Sequence, residues 1–254
     1  MKLSYAVEGI PGSPFLVLSP SLGTTTTLYE PQEGILAPHF RMVRHDLPGH
    51  GHSHPPEEPV SVESIARGVL GILDALNVER ASFCGVSLGG MVCMWLGANA
   101  PERVDRLVLA STGAKLGRRE DFHARAELVR DAGTTAAVVD GVRERWFTPA
   151  FRDSPAARRI LDELAAVPPD AYAACCEAAG DFDLRADLGK IAAPTLVVAG
   201  ADDPLVTPAV CETLVDGIPG ARLTVIPEAA HLANVEQPEA FDDAVIGHLE
   251  GSAR

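Results

Sequence analysis

The sequence is short of positive charge. Its 254 residues hold 21 lysines and arginines against 35 aspartates and glutamates, a net charge of −14, and only 3 of the basic residues are lysine. A field of that sign repels phosphates and argues against nucleic acid or an anionic membrane surface as partner. Long apolar runs are missing as well. No stretch approaches the roughly 20 apolar residues a membrane-crossing helix needs. The first twenty residues, broken by Glu8, Gly9, Pro11, Gly12 and Pro14, contain no run of signal-peptide length. The five cysteines include no C-x-x-C pair, so no thiolate metal knuckle is expected. An odd thiol count without a secretory leader predicts reduced cysteines and a cytoplasmic location. What remains, 46 % apolar and 22 % charged residues, is the composition of a globular chain long enough for a sizeable core.

Short apolar runs alternate with longer helical patterns, which predicts an α/β fold with a mostly parallel sheet and helices on both faces. The expected strands are Lys2–Val7, Pro14–Ser19, Phe40–Asp46, Ala81–Gly85, Arg106–Ala110, Thr195–Ala199 and Arg222–Ile226. Val62, Ile65, Ala66, Val69, Leu70, Leu73 and Leu76 follow helical spacing, with Ser61 placed to cap. A second helix should start at Pro208 behind Thr207. From 115 to 190 the rhythm breaks: no strand pattern, many Ala, Arg, Glu and Asp, and prolines at 149, 155, 168 and 169. This segment is expected to be a helical lid inserted into a core made of residues 1–114 and 191–254.

The strongest chemical signal is Gly85-Val86-Ser87-Leu88-Gly89-Gly90, between an apolar strand and a helical pattern. Gly-x-Ser-x-Gly in that setting is a nucleophile elbow: a turn tight enough to need glycine neighbours, which projects a serine hydroxyl above the sheet at a helix N-terminus. A serine hydroxyl needs a base, and the base needs an orienting acid. Two carboxylates, Asp202 and Asp203, lie just beyond the strand at 195–199, and His231 lies just beyond the last strand. Carboxyl ends of parallel strands are where such sheets place their sites. The backbone N–H of Leu88 should be one oxyanion donor. The turn Ser19-Pro20-Ser21-Leu22-Gly23 should supply the other from Leu22. His45, His50, His52 and His54 sit in a glycine-broken loop without the spacing of a zinc helix, so no metal is expected there. Cys84 and Cys93 flank the elbow and read as small buried packing residues.

Together the elbow, the Asp46-Leu47-Pro48-Gly49-His50-Gly51-His52-Ser53 loop, the Gly200-Ala201-Asp202-Asp203-Pro204 loop and the His231 loop resemble the α/β-hydrolase family across nearly the whole chain. In that family the strand is usually followed by Gly-x-x-Asp, which favours Asp203 over Asp202 as the partner of His231. Five stretches further resemble the 3-oxoadipate enol-lactonases of aromatic-compound degradation: 19–25, 85–92, 98–104, 145–149 and 230–238. The resemblance implies opening of an anionic lactone to 3-oxoadipate in the β-ketoadipate pathway by Ser87, His231 and Asp203, with no cofactor. The substrate carboxylate needs a local cation, for which Arg145 in the lid is the candidate, with Trp146 as an apolar wall. A general carboxylesterase or a cofactor-free perhydrolase would use the same triad. A non-catalytic ligand receptor would have no need of all three residues.

Overall fold

The computed structural model describes residues 1–251. Seven strands form one sheet: β1 Tyr5–Glu8, β2 Phe15–Ser19, β3 Arg41–His45, β4 Ala81–Val86, β5 Val104–Ala110, β6 Thr195–Gly200 and β7 Arg222–Ile226. Their order is β1-β3-β2-β4-β5-β6-β7. Only β1 runs antiparallel to its neighbour. The seven expected strands are all present, with shifted ends. β1 begins at Tyr5 rather than Lys2 because its first partner is His45, the last residue of β3. β5 begins two residues early because Val104 pairs with Ala81 at the start of β4. Every residue of β4 and β6 is buried, as expected for parallel strands covered on both faces.

Among the described residues ten α-helices accompany the sheet: α1 Glu30–Leu36, α2 Val62–Ala75, α3 Leu88–Asn99, α4 Arg119–Ala132, α5 Val139–Trp146, α6 Pro155–Ala166, α7 Pro169–Asp181, α8 Pro208–Gly217, α9 Ala233–Glu236 and α10 Pro238–Leu249. The Ser61 hydroxyl accepts from Ser64 N–H at 3.0 Å, and the Ser64 hydroxyl accepts from Ser61 N–H at 2.9 Å. The two bonds close a capping box at the start of α2. Thr207 caps α8 in the same way, its side chain accepting from Val210. α3 is apolar and buried along most of its length, packing against β4, β5 and α2.

Helices α4 to α7 all fall between β5 and β6, with α4 and α7 packed along each other. The short turn Arg185–Lys190 after them lies against α3 and α8. There Leu188 fills the space over Gly217, and the following Ile191 fills that over Gly97. From β2 the chain steps to β3 on one side, and later to β4 on the other. The carboxyl ends of β2 and β4 therefore diverge at a topological switch point, the place where open α/β sheets leave a crevice.

Candidate active site

Ser87 joins β4 to α3 with φ 57° and ψ −115°, a left-handed backbone that a serine adopts only when its surroundings force it. Two glycines make the turn possible. A Cβ on Gly85 would sit 2.3 Å from the backbone of Gly89, and one on Gly89 would sit 2.0 Å from the Ser19 carbonyl oxygen. The end of β2 thus crosses directly over the elbow. Ser87 N–H donates to the Ala110 carbonyl at 2.9 Å, and Thr112 Oγ1 donates to the Ser87 carbonyl at 2.7 Å, which pins the turn to the end of β5.

Leu88 is the first residue of α3, so its N–H has no acceptor within the helix and points out at the positive end of the helix dipole. Leu22 lies in the turn after β2, and its N–H meets no protein acceptor among the described residues. That turn is held from both sides. Thr24 N–H donates to the Ser21 carbonyl at 3.1 Å, and Gly23 N–H donates to His50 Nε2 at 3.3 Å.

Asp203, rather than Asp202, meets His231. Asp203 is 2 % exposed and His231 3 %, and Nδ1–H donates to Asp203 Oδ2 at 2.8 Å, while Asp202 is exposed. The other oxygen, Oδ1, accepts from Leu205 N–H at 2.8 Å and Val206 N–H at 2.9 Å. Burial alone would push this carboxyl up. The charge and hydrogen bond of His231, with the two backbone donors, outweigh burial and hold it below the usual carboxylate range. A carboxylate on Nδ1 leaves Nε2 as the free lone pair of the imidazole. His231 and Ser87 face the same cavity without a direct hydrogen bond between them.

That cavity has a volume of about 540 Å³. One wall is Ser87, His231, Leu22 and Leu88, at the ends of the strands; the opposite wall comes from α4, α5 and α7. Both residues singled out in the segment between β5 and β6 are there. Trp146 is buried and meets Phe147 edge-on with ring centres 6.4 Å apart; Arg145 is half-buried beside it. Cys84 and Cys93 are buried around the elbow, and burial pushes the Cys84 thiol well up and that of Cys93 to about 12, so neither offers a thiolate.

The histidine loop is a scaffold. His45 Nε2 bonds Ser19 Oγ at 2.7 Å, and His50 spends Nδ1 on the Pro48 carbonyl at 3.0 Å. Because His50 Nε2 accepts from Gly23, its proton resides on Nδ1. Burial lowers both histidines to about 4, which keeps them neutral. Among the described residues no group of three or more His, Cys, Asp or Glu is arranged to hold a metal ion.

Three residues of the site escaped sequence reasoning. Glu236 is buried and accepts three hydrogen bonds. Its Oε1 takes Ala230 N–H at 2.8 Å, and its Oε2 takes Thr148 N–H at 3.0 Å and Thr148 Oγ1 at 2.7 Å, so it ties the His231 loop to the end of α5. Arg125 and Tyr172 line the cavity from α4 and α7. The available signal was an arginine between Phe122 and Val129 on the apolar side of α4, where an amphipathic helix has no reason to place a charge.

A profile of the alpha/beta hydrolase fold matches residues 14–238. The chain is 39 % identical over 247 residues to 3-oxoadipate enol-lactonase 2 of Acinetobacter baylyi, covering 96 % of this chain and 92 % of that protein. The crystal structure of the enol-lactonase from Burkholderia xenovorans LB400 superposes with a TM-score of 0.94 at 37 % identity, covering 98 % of this chain and 96 % of that one. RutD of a Caulobacter species, described as a carbamate hydrolase, is 32 % identical over 261 residues, covering 99 % of this chain and 97 % of that protein. With an elbow serine, a seven-stranded sheet and matches of this extent, the chain belongs to the α/β-hydrolase family.

Proposed function

We propose that this protein hydrolyses 3-oxoadipate enol-lactone to 3-oxoadipate, a ring-opening step of the β-ketoadipate pathway in aromatic-compound degradation. The observation that carries the reading is the buried Asp203–His231 pair, whose histidine faces the same cavity as the strained Ser87. Similarity to two enol-lactonases over almost the whole chain supports the substrate.

Ser87 Oγ attacks the lactone carbonyl carbon while His231 Nε2 takes its proton. Negative charge on the carbonyl oxygen is met by the N–H groups of Leu22 and Leu88, neither of which has another acceptor among the described residues. The bond to the ring oxygen then breaks. That oxygen leaves as an enolate and takes the proton back from His231 as the enol, which tautomerises to the ketone by gaining a proton on carbon and losing the one on oxygen. Water, deprotonated by His231, next attacks the acyl-enzyme; Ser87 leaves with that proton, and one water is consumed per lactone opened. Asp203 holds the imidazole tautomer and stabilises the imidazolium formed in each half. The helical segment 115–190 serves as the lid, Trp146 as an apolar wall and Arg145 as a contact for the substrate carboxylate. Five unpaired, buried cysteines suit the reducing cytoplasm.

The test is turnover of the enol-lactone by purified protein, with Ser87→Ala, a simple nitrophenyl ester and a carbamate run alongside. Fast lactone opening that disappears in Ser87→Ala supports the assignment. Turnover confined to the simple ester or the carbamate keeps the hydrolase and discards the lactonase.

A further inference from the structure

Leu22 N–H can serve an oxyanion only if the turn that carries it is held still. Ser21 to Thr24 form a β-turn, closed by Thr24 N–H and Thr24 Oγ1, which donate to the Ser21 carbonyl at 3.1 and 2.8 Å. Gly23, third in the turn, has φ 82°, while Leu22, second, stays outside the left-handed region. That combination is a type II turn. Its central peptide, Leu22–Gly23, makes no bond within the turn, so it can rotate while the ends stay closed.

What holds this peptide comes from another loop. Gly23 N–H donates to His50 Nε2 at 3.3 Å, and both residues are buried. His50 can accept there because its Nδ1–H is committed to the Pro48 carbonyl at 3.0 Å. The same two segments are tied a second time through Asp46. Its Oδ1 accepts Thr26 N–H and its Oδ2 accepts His52 N–H, each at 2.9 Å. From the opposite side α6 and α7 press on the turn: a Cβ on Gly23 would come within 2.4 Å of Leu164 Cδ1 and 3.2 Å of Tyr172 Cε2. The turn is gripped between these helices and the imidazole. If the imidazole lone pair is removed, a buried N–H loses its acceptor, and that is unfavourable unless the peptide moves.

We propose that His50 is a positioning residue for the oxyanion site: its Nε2 holds the Leu22–Gly23 peptide and thereby aims the Leu22 N–H at the substrate carbonyl oxygen. The inference rests on reading Ser87 and His231 as an acyl-transfer site, and it deepens that reading by naming what fixes the second oxyanion donor. His50 does not line the cavity, so it acts through the turn and not on the substrate. Leu22 Cα joins the held peptide to the one that bears the Leu22 N–H, so a rotation of the first swings the second. Misplacement by about 1 Å can cost about a hundredfold in rate, and outright loss of one oxyanion donor about 10²–10³-fold.

Two variants separate this role from simple support of the histidine loop. Glutamine reaches as far as Nε2 and can accept Gly23 N–H, but it gives up the bond to Pro48. Asparagine reaches only as far as Nδ1, so it keeps the Pro48 bond and abandons Gly23. Steady-state kinetics with nitrophenyl acetate are compared with the affinity for phenylboronic acid, read from the rise in Tm. The boron takes an electron pair from Ser87 Oγ, whose proton passes to His231, and the tetrahedral adduct places an oxygen in the oxyanion site. His50→Asn should lower kcat about ten- to hundredfold with KM within about twofold, and should weaken the boronate by a similar factor. His50→Gln should keep kcat within about fivefold of the wild type. The opposite order, equal losses in the two variants, or a loss carried by KM would overturn the assignment. Should His50→Asn fail to fold, His50→Gln decides, and a kcat lowered about tenfold or more would overturn it. If the enol-lactone is not opened but His50→Asn weakens the boronate, the lactone assignment falls and the role of His50 stands. If His50→Asn opens the lactone with the wild-type kcat, the role falls and the lactone assignment stands.

Discussion

Glu236→Gln is the sharpest probe of how this site is assembled. Glu236 is 6 % exposed, has no cationic partner among the described residues, and uses both oxygens as acceptors for Ala230 N–H, Thr148 N–H and Thr148 Oγ1. Ala230 immediately precedes His231, and Thr148 lies two residues beyond Trp146, whose carbonyl accepts Leu232 N–H at 3.2 Å. Glutamine preserves the shape but turns one acceptor into a donor. With the amide nitrogen towards Ala230, that N–H faces a donor. With the amide reversed, the Thr148 hydroxyl can rotate to accept, but the Thr148 backbone N–H cannot. Either way one buried N–H is stranded, at a cost of about 1–3 kcal/mol. For a domain of this size that is a fall in Tm of about 2–12 °C. Displacement of the Ala230–His231 segment should lower kcat more than it raises KM.

The pH dependence adds a second check. Burial raises the Glu236 pKa, more than its hydrogen bonds lower it, so the folded protein binds this proton more tightly than the unfolded chain does. The wild type therefore loses stability from this group as pH rises through the range just above that of an ordinary glutamate, whereas the glutamine variant has nothing there to titrate. The Tm gap should narrow with rising pH. Melts at pH 5 and pH 8 that show no gap, or one that widens, would refute the argument.

Asp203→Asn should reduce kcat roughly 10⁴-fold while leaving the fold intact, because an amide on Nδ1 no longer selects the tautomer with a free Nε2; steady-state kinetics with a melt as control decide it. His45 and His50, lowered by burial to about 4, resist protonation in the fold. Each should cost up to about 3 kcal/mol of stability as pH falls from 6.5 towards 4, and His50→Gln should remove one proton from the slope seen in urea melts. Asp242 is buried with Oδ1 unpartnered, and burial pushes it up to about 7. Its contribution is lost as pH rises from about 4 through 7, so Asp242→Asn should gain stability over the wild type by up to about 4 kcal/mol at pH 8 and nothing at pH 4; a gap independent of pH would contradict this.

The sheet was legible because its strands are buried on both faces, which writes them as continuous apolar runs such as Leu196-Val197-Val198-Ala199. Their ends were less so. Tyr5 and Val104 mark strand starts only because His45 and Ala81 lie opposite them, and a pairing partner far away in the chain leaves no local trace. The elbow could be read from the residues because its geometry is a property of five consecutive positions, two of which have no room for a side chain. Chain order likewise placed Asp202, Asp203 and His231 at strand ends.

Tertiary structure decided what local pattern leaves open. Asp202 and Asp203 are adjacent and chemically identical; only the turn that sends one inward to His231 and the other to solvent separates them. No local pattern marks Glu236 as buried; the end of α5, 88 positions away, supplies the Thr148 donors that hold it. Arg125 and Arg145 line the cavity without a carboxylate in salt-bridge distance among the described residues, while Arg119 and Arg143 on the same two helices pair with Asp181 and Asp153. The apolar cores of the strands, the helix periodicity and the elbow arise from neighbours along the chain and are legible in it. Which charges are paired and which are buried depends on groups brought together from as many as 211 positions apart, as His39 and Glu250 are, and packing alone decides that.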